Sequence, residues 1–131
     1  MKTRGSRGKV LASALLGLAL IGLAGQPAVA GQADVVAVEA IPENWNIWRF
    51  TVTVRHDDEG WDHFADQWDV VGADGTVYGS RVLAHPHENE QPFTRSLSGV
   101  EIPEGVTHVT IRARDSVHGY GGAEMTVRLS R

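Results

Sequence analysis

From residue 34 onward, apolar side chains recur at every second position in short runs separated by turn-forming residues. Helical periodicity is nearly absent. The clearest run is IWRFTVTVRH, from Ile47 to His56, where Trp48, Phe50, Val52 and Val54 fall on one face and Arg49, Thr51, Thr53 and Arg55 on the other. Such alternation belongs to a strand buried on one side and wetted on the other. Six more runs read as strands: DVVAVEA (34–40), ended by IPEN with Pro42; QWDVV (67–71); VYGSRVL (77–83); FTRSLSGV (93–100); VTHVTIRARD (106–115); and EMTVRLS (124–130). Period 2 turns Trp68, Val70, Val109, Ile111, Ala113, Met125, Val127 and Leu129 inward. Asp74-Gly75 is a strong hairpin signal, and HDDEGWDHFAD is a long connection for which a helical turn near Asp62 to Asp66 is expected. The prediction is an all-β fold, a seven-stranded antiparallel β-sandwich.

In strand count, spacing and phrases such as GVEIPEGVTHVTIRARD, the chain resembles the fibronectin type III and immunoglobulin-like sandwiches. It lacks their cysteine pair and, in the sixth strand, the tyrosine of the tyrosine corner. HPHENEQPFTRS and DSVHGYGG are similar to phrases of small exported bacterial proteins of unknown function.

Residues 1–30 stand apart from this pattern. A basic leader with Lys2, Arg4, Arg7 and Lys9 precedes an apolar run, Val10 to Ala24, that is short for a bilayer span. The run is followed by GQPAVA, in which Ala28 and Ala30 are the small residues a signal peptidase requires. We therefore expect a signal peptide over 1–30, cleaved after Ala30, and a single domain over 31–131, periplasmic or secreted from a bacterium. With no cysteine in the chain, a lipid-modified cysteine, a disulfide and a thiolate metal site are all excluded.

Four of the 12 basic residues and none of the 16 acidic ones lie in the leader, so the remaining domain carries eight arginines against 16 carboxylates. That balance argues against nucleic acid and, after cleavage, against a membrane surface as partners, and it favours cations or basic proteins. No lysine remains for Schiff-base chemistry and no GxSxG elbow occurs. Asp57 and Asp58 are adjacent, and neighbours in sequence diverge rather than flank a bond. A binding function is expected before a catalytic one.

If adjacent strands alternate in direction, every second connection emerges at the same end. HDDEGWDH, AHPHENEQP and DSVHGYGG then share one pole, bringing together His56, His63, His85, His87 and His118 with Asp57, Asp58, Glu59, Asp62, Glu88, Glu90 and Asp115. Pro86 favours extended backbone at His85, so His85 and His87 project to one side. With His118 returned over the pole by its glycine neighbours, and His63 as an extra candidate, three imidazoles would suit zinc or copper. Two simpler readings stand beside this one. The His-Pro-His segment is also what a stiff, hydrated connection looks like, and the acidic loops or a sheet edge could serve a metal-free protein-interaction domain. Arg95 shares its parity with Phe93 and Leu97, and a buried guanidinium needs a carboxylate; an Arg95–Asp115 ion pair beneath the loops is expected. Trp61, among acidic neighbours, is the tryptophan expected at the surface for a ligand or partner.

Overall fold

Alternating runs of this kind cannot bury their apolar faces singly, and here two antiparallel sheets close over one core. The computed structural model describes residues 23–24 and 31–131. The expected export signal lies outside the described residues apart from Leu23–Ala24. Among the described residues the strands are β1 (Leu23–Ala24), β2 (Asp34–Asn44), β3 (Ile47–Arg55), β4 (Ala65–Val71), β5 (Val77–Val82), β6 (Phe93–Glu101), β7 (His108–Asp115), β8 (Gly119–Tyr120) and β9 (Met125–Arg128). One sheet has the order β2-β3-β6; the other has β1-β9-β7-β4-β5, with β8 paired to β7. The seven expected runs correspond to β2 to β7 and β9, and the two-residue strands β1 and β8 are additions. No helix among the described residues is long and apolar enough to cross a membrane.

The inward parity of each run is the parity of the core. Trp48, Phe50, Val52 and Val54 from β3 meet Trp68 and Val70 from β4, and Val109, Ile111 and Ala113 from β7 complete the layer with Met125 and Val127 from β9. Outward positions pair across strands, as in the hydroxyl contacts of Thr51 with Ser96 and Thr53 with Thr94.

Two local expectations are corrected. Strand β2 continues through Pro42 to Asn44, with a register shift between Pro42 and Asn44. It is an edge strand, where a missing amide hydrogen costs no ladder bond. The connection after β3 contains no helical turn. The Glu59 amide donates to the His63 carbonyl at 2.7 Å, and Gly60 adopts φ +78°, closing a tight loop instead.

Asp69 follows the inward-facing Trp68 and therefore faces the other side of its sheet, yet it is only 1% exposed. It accepts hydrogen bonds from Tyr120 Oη (2.5 Å), Ser80 Oγ (2.7 Å), Gln67 Nε2 (2.8 Å) and Arg112 Nε (3.1 Å). Ser80 and Arg112 are its register partners on β5 and β7, and Tyr120 comes from β8, so this one carboxylate ties four strands together. Burial pushes its pKa up, and the bonds from Tyr120, Ser80, Gln67 and Arg112 more than offset that, holding it below the ordinary carboxylate value.

Breaking such a network leaves buried donors unpaired. Asp69→Asn is expected to cost about 3 kcal/mol in urea unfolding at neutral pH. Because the folded pKa is depressed, this contribution is complete above the unfolded carboxylate pKa and is lost as the pH falls through the folded value. The two chains should therefore converge in stability in acid; a constant gap across the titration would show that Asp69 is not the ionised acceptor.

Candidate metal centre

The connections after β3, β5 and β7 meet at one end of the molecule, where their contacts form a continuous polar network. His56 is the residue after β3 and keeps the inward parity of Phe50, Val52 and Val54. Its ring, only 2% exposed at residue level, sits where the core gives way to the loops. Asp58 lies directly beyond it, with a side chain that has no exposed surface. Asp58 Oδ1 accepts from His56 Nδ1 at 2.6 Å and from the Ala65 amide at 3.2 Å, while Oδ2 accepts from the His87 amide at 2.6 Å. Gln91 adds a second tie between these connections, since its Oε1 accepts from the His56 amide and its Nε2 donates to the His87 carbonyl.

Asp115 ends β7 on the inward face and is also fully buried. The amides of Val117 and His118 donate to its Oδ1 at 2.8 and 2.6 Å. Burial raises its pKa, but the two amides and the His118 ring outweigh that effect and hold it below the usual value. Asp115 is therefore ionised at neutral pH.

His63 reaches this carboxylate from the tight loop, with Nε2 3.4 Å from Asp115 Oδ1. Its Nδ1 lies 2.8 Å from Glu59 Oε1. That hydrogen bond is the main reason its pKa is raised; burial opposes the shift, and the charges of Asp115 and Glu59 add to it. His118 Nδ1 is 3.2 Å from both oxygens of Asp115, and its ring stands 4.9 Å from that of His63.

An ionised carboxylate can only accept, so the Nδ1 atoms of His56 and His63 donate to Asp58 and Glu59, and their Nε2 atoms face each other 3.2 Å apart. His56 Nε2 is 3.6 Å from Asp115 Oδ2. Donor atoms of His56, His63 and Asp115 thus lie within 4.8 Å of one another. Four-coordinate zinc with ligand bonds of about 2.0–2.1 Å needs ligand atoms about 3.3 Å apart; the nitrogen–nitrogen edge is 3.2 Å, and the nitrogen–oxygen edges of 3.4 and 3.6 Å end on the two different oxygens of Asp115. The carboxylates behind His56 and His63 are the outer partners that orient histidine ligands at metal sites. This group could hold a metal ion.

The histidines expected to converge are divided between two places. His118 joins His63 beside Asp115, whereas His85 and His87 form a separate pair with ring centroids 4.6 Å apart. His87 stacks on Phe93 at 4.0 Å, and its ring is buried without a hydrogen-bond partner. Burial, then the charges of Arg95 and His85, lower its pKa. His87 thus packs as a neutral aromatic wedge while its amide anchors the loop to Asp58; His85 Nδ1 donates to the Pro86 carbonyl at 3.0 Å.

The Arg95–Asp115 ion pair is corrected as well. Arg95 Nη2 pairs with Glu90 Oε1 at 3.1 Å, in the connection just before its own strand. Arg95 is half-buried between Phe93 and Leu97, as its parity predicts, but Glu90 supplies its carboxylate at closer range and Asp115, across the sandwich, is already satisfied by the amides that follow it. Sequence reasoning gave His56 no ligand role, although the period of 2 along β3 signalled its inward direction. It also gave no role to Gly31, whose carbonyl lies 3.3 Å from His56 Nε2.

Over 96 residues, 73% of this chain, the sequence is 44% identical to a curated protein of Halomicrobium mukohataei named "Putative lipoprotein". The match covers 47% of that protein, so the chain spans about half the length of this relative. No family model matches the sequence, and no solved structure does.

Asp58 and Asp115 each accept from three donors, and those of Asp58 include residues of the connections after both β3 and β5. Asp58→Ala should lower stability by about 3 kcal/mol in urea unfolding, because buried N–H groups of His56, Ala65 and His87 lose their acceptor together. Asp58→Asn, which keeps one acceptor oxygen, should recover part of the loss. Unchanged stability in Asp58→Ala would mean that the connections hold together without it.

Proposed function

We propose that the chain is a small exported binding module that holds one divalent transition metal ion, zinc or copper, between His56, His63 and Asp115, with His118 at the solvent side as a further ligand. The observation that carries the reading is the pair of Nε2 atoms facing each other at 3.2 Å beside the buried, ionised carboxylate of Asp115. Without a cation or shared protons between them, these donors repel one another. Two imidazoles and one carboxylate suit zinc or copper better than calcium, which prefers oxygen alone. His85 and His87 have a supporting role in this reading, as the wedge that fixes Asp58.

Export is supported by the leader pattern of residues 1–30 and by similarity to a protein whose name calls it a lipoprotein. These 131 residues contain no cysteine, so they offer no thiol for a lipid. The order β2-β3-β6 opposite β9-β7-β4-β5 supports the fibronectin type III-like sandwich expected from the strand spacing. The alternative, a metal-free contact domain, has the exposed tryptophans Trp45 and Trp61 in its favour, 72% and 69% accessible.

Metal titration of the stripped, untagged protein separates the two readings. One equivalent of zinc or copper should bind and raise the unfolding temperature, since a ligand at a hundred times its Kd stabilises the folded chain by about 2.7 kcal/mol. His63→Ala should abolish that binding, and His85→Ala should leave it unchanged. Glu59→Gln should weaken it by no more than about tenfold, the low end for an outer partner, because Glu59 is mostly exposed. A folded parent chain that takes up neither metal overturns the reading.

A further inference from the structure

We propose that removal of residues 1–30 completes this centre by delivering the new α-amino group of Gly31 to it as a nitrogen ligand. The inference rests on the metal reading above and on cleavage after Ala30.

Gly31 already lies at the centre's wall. Its carbonyl oxygen is 3.3 Å from His56 Nε2, the same spacing as the other donor edges. On the opposite side it packs against His118, since a Cβ built on Gly31 would stand 3.3 Å from His118 Cε1 and 3.8 Å from Nε2. The Gly31 nitrogen is bonded to that same Cα, and hydrolysis of the Ala30–Gly31 peptide bond turns it into a primary amine beside the His56 and His118 rings.

The segment that follows is clamped in place. The Val35 amide donates to the Ala123 carbonyl at 2.8 Å, and the Ala123 amide donates to Asp34 Oδ1 at 2.7 Å. Ala33 and Val35 are 1% and 2% exposed. Gly122 has no side chain because the Ala33 carbonyl occupies the space where a Cβ would be. With residues 33–35 fixed, the amine of Gly31 can explore only a small volume, which includes the ligand atoms.

The chemistry suits the position. An α-amine has an ordinary pKa of about 7.7–8.0, so a metal ion displaces its proton readily at neutral pH, and amine plus carbonyl can form a five-membered chelate. Glycine adds no side chain against His118. Two or three imidazoles, an amine and a carboxylate make a nitrogen-rich set, and such a set ranks copper(II) above zinc.

The test compares two forms of the domain: one beginning at Gly31 and one retaining Ala30 in front of it. Every residue of the core lies between Ala33 and Leu129, so both forms keep the core and lose only the two-residue strand β1 at the sheet edge. Copper(II) affinity is measured by competition with a chelator, and the coordinating nitrogens are counted from the copper electron paramagnetic resonance spectrum. The Gly31 form should bind at least about tenfold more tightly, the effect of losing even an outer partner at a metal site. It should also show one nitrogen more than the Ala30 form, and His63→Ala should weaken both. Equal affinity and equal nitrogen count, with both forms still dependent on His63, would overturn the amine ligand and leave the metal centre standing. If neither form binds copper or zinc, both readings fall.

Discussion

Two carboxylates without solvent-exposed surface, Asp58 and Asp115, determine how one end of this protein is built. Burying an ionised carboxylate costs several kcal/mol unless its oxygens meet donors. The donors available lie in neighbouring connections. Asp58 takes the His56 ring and the amides of Ala65 and His87; Asp115 takes the amides of Val117 and His118 and faces the rings of His56 and His63. Satisfying both carboxylates obliges three connections to converge, and the strands beneath them are held in fixed relation as a result.

The same requirement sets the electronic character of the histidines. Each Nδ1 is committed to a carboxylate, and the loops bring the two Nε2 atoms to 3.2 Å. Here the one backbone acceptor close to His56 Nε2, the Gly31 carbonyl, is weakly placed at 3.3 Å, and the adjacent Asp115 adds negative charge rather than a proton. The arrangement is consistent internally only with positive charge at its centre, whether carried by protons or by a metal ion.

The strands were legible because each inward position repeats along a run: one wrong parity would have put Trp48, Phe50, Val52 and Val54 all in water. The pole was legible for a similar reason, since antiparallel strands send alternate connections to the same end. The ligand set was not. His85 and His87 advertise themselves by spacing, but Phe93 offers an aromatic face that His87 covers. The sequence places His56 at the pole with the other histidines, and only its parity along β3 singles it out as inward. A lone buried guanidinium suggests a carboxylate partner for Arg95, but Asp115 serves the turn that follows it, as aspartate at a hairpin commonly does, and the amides of that turn have a shorter reach.

The glycines of GYGG show how local chemistry can be misassigned when a segment from elsewhere in the chain is overlooked. Gly119, with φ +73°, serves the turn that brings His118 back onto Asp115. Gly121 and Gly122 answer to a different neighbour. A Cβ at Gly121 would come within 2.8 Å of the Gln32 side chain, and one at Gly122 would collide with the Ala33 carbonyl. Close approach of backbone, and not hinge freedom, explains the missing side chain at Gly122, and the segment that approaches is the one leading into β2. The glycine run is thus a bed for residues 32–34, some ninety positions away in sequence, and it is what brings the backbone of Gly31 against the histidines.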